Sequence, residues 1–281
     1  MFNKRYDGRR IKKLDAFHKI IPYIMKTRVD SQVFFEEKIY VDNISKYIKE
    51  KRKEGIRIST MEVVIAACAR MMHERPGVNR FIMNRRIYAR NMTWVSLAIK
   101  KQLSDEAVET TVKFEIKPQD NIFDVSNQIN EVIVENKKET TKNNADKLAN
   151  FIMSFPNIII KGLVELIMWM DKHNILPKAV IKASPLHTSL FITNVGSIGI
   201  APIYHHIYEF GTTSIFLAMG RREFEKLEDG TIKKYMRLKV VADERICDGL
   251  YYARSLSVLN KYMQNPHLLE IPMEKAVEDL Q

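Results

Sequence analysis

The sequence predicts an α+β fold, a two-layer sandwich in which a mixed sheet carries helices on one face, built as a single domain over residues 1–281. Three observations carry that expectation. Five runs rich in β-branched and aromatic residues read as strands: QVFFEEKIYV at 32–41, ETTVKFEI at 109–116, SLFITNV from Ser189, TSIFLAMG from Thr213 and MRLKVVAD from Met236. Helical patterns stand among them without the strict strand-helix-strand rhythm of a doubly wound parallel sheet. Finally, 46% hydrophobic residues in 281 supply a substantial core, and no repeat, low-complexity linker or composition break marks a boundary.

Element by element, Phe17, Ile20, Ile21, Ile24 and Met25 recur at helical spacing over 14–27, with Pro22 interrupting. After the strand at 32–41, Asp42 is a candidate N-cap for NISKYIKEKRKEG, and Gly55 ends that helix. Ser59 or Thr60 caps the next, with Glu62 close behind. Its apolar residues Val63, Val64, Ala67, Ala69 and Met71 spread around most of the circumference, so this helix is expected at the centre. Residues 80–98 hold two short strands separated by NRR. In 109–116, Val112, Phe114 and Ile116 alternate with Thr111, Lys113 and Glu115. A long polar helix is expected over about 121–149, then the apolar run FIMSFPNIIIKGLVELIMWM at 151–170, and last the helix GLYYARSLSVLNKYMQN.

The apolar run at 151–170 is nearly long enough to cross a bilayer, but Pro156, Lys161 and Glu165 lie near its middle. Two ionised groups at roughly 2.5–3.5 kcal/mol each argue against spanning. The expectation is a helix buried in the protein, with interfacial membrane contact as the lesser alternative. The basic N-terminus MFNKRYDGRRIKKLDAF has no signal-peptide core behind it, and Cys68 and Cys247 lack metal-ligand spacing, so a reduced cytosolic protein is expected. Lys and Arg outnumber Asp and Glu 45 to 34, a formal +11 that favours anionic partners without choosing among them. A nucleic-acid role would need a contiguous basic stripe with exposed aromatics and is not expected.

The run KVVADERICDGLYYARSL resembles the strand-loop-helix signature of the 2-oxoacid dehydrogenase acyltransferases and chloramphenicol acetyltransferases. Asp243, Arg245, Asp248 and Gly249 stand where that pattern expects them, and Glu244 stands where it has histidine. SLFITNVGSIG resembles the family's second motif, placing Thr193 at its oxyanion-stabilising serine and Asn194 and Gly196 at the turn. A weaker match is EVVIAACARMMHERPGVNRFI, like a buried family helix that ends in proline and asparagine. YHHIYEFG, with DERICDG, is similar to a smaller set of family members carrying this variant. The lipoyl and subunit-binding domains of the complex component are not expected here, and Asp146-Lys147 sits in a helical stretch rather than a lipoyl hairpin.

The resemblance implies a chloramphenicol acetyltransferase-like fold, a homotrimer with active sites shared between neighbouring subunits, and acyl transfer between coenzyme A and a small-molecule acceptor. No metal and no covalent lipoyl group enter that chemistry. The family histidine removes a proton from the attacking thiol or hydroxyl. Glutamate, ordinarily near 4.3, needs raising by about 2–3 units to do the same at neutral pH. Three readings of Glu244 stay open: a retuned base, a structural or binding group in a protein that has lost the transfer, or a bystander whose part is taken by His205 or His206. If those histidines lie on a strand, only one faces a site. Asp248 in the family pattern pairs with an arginine, for which Arg9 and Arg10 are candidates. The rival to an enzyme is an inactive homologue serving as a binding or assembly subunit. The clusters KEKRKEG and MNRRIYAR are ordinary solvated faces that can also attract coenzyme A phosphates. GSIG lacks the context of a dinucleotide fingerprint.

Overall fold

The computed structural model describes residues 5–100, 109–137 and 144–281. In chain order the elements are β1 (Gly8–Arg10), α1 (Ala16–Ile24), β2 (Gln32–Tyr40), α2 (Asp42–Lys53), α3 (Thr60–Glu74), β3 (Arg80–Met83), β4 (Arg86–Arg90), β5 (Trp94–Lys100), β6 (Glu109–Glu115), α4 (Ile122–Lys137), α5 (Asn144–Met153), α6 (Asn157–Lys172), α7 (Lys178–Ala183), β7 (Leu190–Asn194), β8 (Ile215–Lys226), β9 (Ile232–Asp243) and α8 (Gly249–Gln264). The main sheet runs β2-β9-β8-β7-β5-β6, and a smaller one β1-β4-β3. β7 is parallel to both β8 and β5, while the other pairings are antiparallel, so the sheet is mixed as expected.

Alternation along the strands assigns the two faces. Leu190, Ile192, Ile215, Leu217 and Val240 belong to the main core with α3, α4 and α8. Phe191, Phe216 and Val241 face the other way and meet Ile207 from the irregular 200–211 segment. Helices on one face and a loop on the other therefore follow from a period of two in the strands. At the hub lies α3, opened by a capping box in which Ser59 and Glu62 exchange side-chain and backbone hydrogen bonds.

Four expectations need correction, and one condition is not met. Asp42 is the first helical residue of α2 rather than its cap, which is Val41. Residues 80–98 contain three strands, because Asn84 and Arg85 take positive φ (47° and 59°) in a tight β3–β4 turn and a further strand begins at Trp94. The polar helix stops at Lys137 and a separate one begins at Asn144; what joins them lies outside the described residues. His205 and His206 lie on no strand.

The largest correction concerns 151–170. Pro156 divides it, and α6 buries Asp171 alone, leaving Ile158, Ile159, Leu166 and Trp169 exposed. Among the described residues no helix is long and apolar enough to cross a membrane.

Candidate functional site

The sequence DERICDG folds as a short helical turn between β9 and α8. Asp243 is wholly buried, and its carboxylate accepts from the Arg245 backbone N–H (3.1 Å), Nε (2.8 Å) and Nη2 (2.7 Å). Arg245 Nη1 also donates to the Met25 carbonyl (3.0 Å), tying the loop to the end of α1. A buried pair this well bonded fixes the loop, since leaving either charge alone would cost several kcal/mol, about 3–5. Between these two clamps the Glu244 side chain is turned out to solvent.

Asp248 is the N-cap of α8, its Oδ1 accepting from Tyr251 N at 2.8 Å. Neither candidate arginine reaches it. Arg9 donates to the carbonyls of Leu280 (2.6 Å) and Asp279 (2.5 Å), and Arg10 lines a basic hollow. At Gly249 an added Cβ would meet nothing within 4 Å, so the single chain makes no steric demand for glycine there.

Thr193 lies near the end of β7 on the face of Phe191, away from the helices. Asn194 closes the following turn, its Oδ1 accepting from Ser197 N (3.2 Å). Gly196 is required, because a Cβ there would stand 2.3 Å from the Gly220 carbonyl oxygen. Above this face runs YHHIYEFG. His205 stacks on Phe216 (centroids 4.4 Å apart, 16° between planes), which stacks on Phe191 (4.7 Å). His206 is exposed and meets the Tyr208 ring edge-on. Only His205 therefore sits on the sheet face that carries Thr193.

Glu209 and Gly211 explain the rest of that segment. The Glu209 carboxylate accepts from the backbone N–H of Arg28 (2.5 Å) and Val29 (3.2 Å). The buried Arg28 guanidinium donates to the carbonyls of Glu209, Gly211 and Ile82 (2.5, 2.7 and 3.0 Å). Gly211 takes φ +92° against the Leu186 carbonyl, which a Cβ would approach to 2.2 Å.

The register measures how far the two motifs stand apart. Thr193 pairs with Ala218 and Ala218 with Lys239, so Thr193 lies two strands from β9 and level with Lys239. Glu244 is five residues further along. Two strand spacings and five residues of rise put their backbones on the order of 20 Å apart. Within one chain Thr193 and Glu244 do not form one site.

Cations gather elsewhere. A hollow of about 370 Å3 is lined by Arg10, Lys12, Lys19, Arg85 and Arg86, with no carboxylate among the described residues. It adjoins a cavity of about 760 Å3 that adds Arg9, Lys13, Arg90 and Lys117 against Glu115, Glu278 and Asp279. MNRR is thus the wall of a basic trough. Among the described residues no group of three or more His, Cys, Asp or Glu could hold a metal ion.

Sequence reasoning passed over one arrangement with catalytic-looking chemistry. Ser184 Oγ lies 2.9 Å from His187 Nδ1, and His187 Nε2 lies 3.1 Å from Asp171 Oδ2. Arg5 bridges Asp171 and Asp7, at 2.8 Å to each. Burial is the largest influence on both ionisable types: it lowers the His187 pKa, but Asp171 ends below its usual value because His187 and Arg5 outweigh burial. Lys113 completes the cluster, donating to the carbonyls of Ile181 (2.8 Å) and Ser184 (3.1 Å), with its pKa pushed down to about 6 by burial. His187 is fully buried and Ser184 nearly so. No substrate reaches this triad as folded; it joins the chain start, α6 and the β7 approach. The only sequence signal was a serine three residues before a histidine.

The family described as 2-oxoacid dehydrogenases acyltransferase (catalytic domain) matches residues 182–271, which hold β7, β8, β9 and α8. The probable dihydrolipoamide acetyltransferase of Listeria monocytogenes superposes with a TM-score of 0.57 at 14% identity, over 90% of this chain and 93% of that one. The dihydrolipoamide acetyltransferase of Azotobacter vinelandii gives 0.58 at 12%, over 92% and 93%. A chloramphenicol acetyltransferase gives 0.57 at 11%, over 91% and 99%. No curated protein matches. The chain has the chloramphenicol acetyltransferase-like fold, and the resemblance carried by its two C-terminal motifs holds.

Proposed function

We propose that this protein is an acyltransferase using acyl-coenzyme A, whose active site is completed by a neighbouring copy in a homotrimer. The observation that carries the reading is the separation of its two motifs. Thr193 and Glu244 stand on the order of 20 Å apart in one chain, yet each is presented outward, Glu244 by the Asp243–Arg245 clamp and Thr193 by the end of β7. Two half-sites of this kind make sense where one subunit's loop meets the next subunit's strand. The Azotobacter relative was studied for a serine, a histidine and an asparagine in its catalytic mechanism. By the motif resemblance Thr193 stands at the serine and Glu244 at the histidine.

In the proposed site the Thr193 hydroxyl donates to the oxyanion of the tetrahedral intermediate, and Glu244 of the facing subunit accepts the proton of the attacking group. Asp248 supports the loop by capping α8. The basic trough supplies cations for the coenzyme A phosphates. His205 shares a sheet face with Thr193 and is the alternative base. The acceptor is a small molecule bearing a nucleophilic hydroxyl, amine or thiol.

The decisive experiment mixes two variants. Thr193→Ala and Glu244→Gln are expected to lose acyl transfer separately, read as release of free thiol from acetyl-coenzyme A in an acceptor screen. Unfolded and reassembled together, they should regain activity, since a mixed trimer contains intact pairs. Loss in His205→Ala with Glu244→Gln still active would assign the base to His205. If acetyl-coenzyme A fails to bind at millimolar concentration in calorimetry, the acyltransferase reading is wrong and the inactive assembly subunit takes its place.

A further inference from the structure

We propose that the hairpin of α5 and α6 docks on the surface of an anionic lipid bilayer. The turn between the helices is an apolar tip: Phe151 is 61% exposed, Met153 67% and Ile158 83%, and Phe155 packs edge-on against Phe151. Along α6, at about 100° per residue, Ile158, Trp169, Leu166 and Ile159 fall within one outward arc of about 100°. Lys161, Glu165 and Lys172 form the adjacent flank of the same exposed side. Met170, Leu163, Ile167 and Asp171 occupy the opposite side, toward the body.

This exposure is fixed in place. Asp171 anchors the C-terminal end of α6 through Arg5 and His187, and the apolar base packs on Trp94, Leu176 and Ile181. The outward arc is what remains once α6 has made its full attachment to the domain.

Charge chooses the occupant. By sequence α5, α6 and the short α7 carry five lysines, Lys147, Lys161, Lys172, Lys178 and Lys182, all exposed, against Asp146, Glu165 and Asp171, the last of them buried and paired. This excess of lysine around apolar and aromatic side chains matches a negatively charged bilayer surface, with Trp169 at the depth of the headgroups. At 16 residues α6 is about 24 Å long, too short to cross, and suited to lying in the interface.

The protein carries its own probe. Its two tryptophans are Trp94, buried at 5% exposure, and Trp169, at 51%. Full-length protein is titrated with vesicles of phosphatidylcholine and phosphatidylglycerol at low and high salt, following tryptophan emission and co-sedimentation. We expect a blue shift and pelleting with the anionic vesicles, at least tenfold weaker with phosphatidylcholine alone and weakened by salt. The double change Phe151→Ser with Ile158→Ser should reduce binding at least tenfold while circular dichroism stays unchanged. Absence of any shift at low salt, or binding indifferent to the double change, overturns the proposal. A double variant that instead dissociates an oligomer in sedimentation velocity would make the hairpin a contact between copies.

Discussion

Helices α3 and α6 are 15 and 16 residues long and both apolar around most of their circumference, yet α3 buries twelve residues and α6 one. Side-chain size separates them. Ala66, Ala67, Cys68 and Ala69 let α3 lie close against the sheet and the flanking helices, so its whole girth is enclosed. α6 has no alanine, and its isoleucine, leucine, methionine and tryptophan side chains stay exposed or only partly buried. Their polar groups differ too. In α3, Glu62 is used in the capping box and Arg70 reaches the Ile271 carbonyl (2.7 Å), whereas Lys161 and Glu165 of α6 are exposed and form no ion pair among the described residues. Being apolar all round permits burial without requiring it.

The comparison is tested most severely in α3. Ile65 is fully buried in the main core, and Ile65→Ala should cost about 2–5 kcal/mol in urea unfolding, through lost transfer energy and an unfilled cavity. A cost near zero would mean that α3 packs loosely and that the contrast with α6 is false.

Acid offers a second test. Burial pulls the pKa of His73, in the last turn of α3, down to about 4 from 6.5. The unfolded chain then binds the proton more tightly than the folded one, so this contribution is complete above about pH 6.5 and is lost as pH falls toward 4. The loss amounts to about 3 kcal/mol at its limit. His187 acts in the same direction, its pKa also being lowered by burial. His73→Gln should flatten the decline in unfolding free energy between pH 6.5 and 4 without removing the His187 share. An unchanged slope would show that His73 is hydrated in solution.

Much of this architecture was legible from local signals. The strands at 32–40, 109–115 and 190–194, and β9 from Met236 on, announce themselves by composition, the Ser59 cap by its spacing to Glu62, and the two C-terminal motifs by residue type. What escaped depends on distant parts of the chain meeting. Arg5 and Asp171 are 166 residues apart, and nothing local to either predicts their pairing. The separation of Thr193 from Glu244, on the order of 20 Å, follows from strand order, which no single motif encodes. Asp248 was assigned an arginine on family pattern and instead caps its own helix, a role available from its place before Gly249. The 151–170 run failed for a different reason: periodicity identifies an apolar surface but not what covers it.

The smallest expected effect is the most telling about that surface. Ile158 is 83% exposed, so Ile158→Ser removes almost no contact within the fold and should alter unfolding free energy by no more than about 0.5 kcal/mol in dilute buffer. A buried isoleucine and an exposed one would then differ by several kcal/mol although the sequence around each is equally apolar. If Ile158→Ser instead destabilises by about 2 kcal/mol or more, and the loss grows with protein concentration, Ile158 is covered in solution by another copy, because association stabilises by mass action. A large loss independent of concentration would place α6 against the body and erase the contrast with α3. A negligible loss leaves an apolar surface whose retention is not explained by the stability of the single chain.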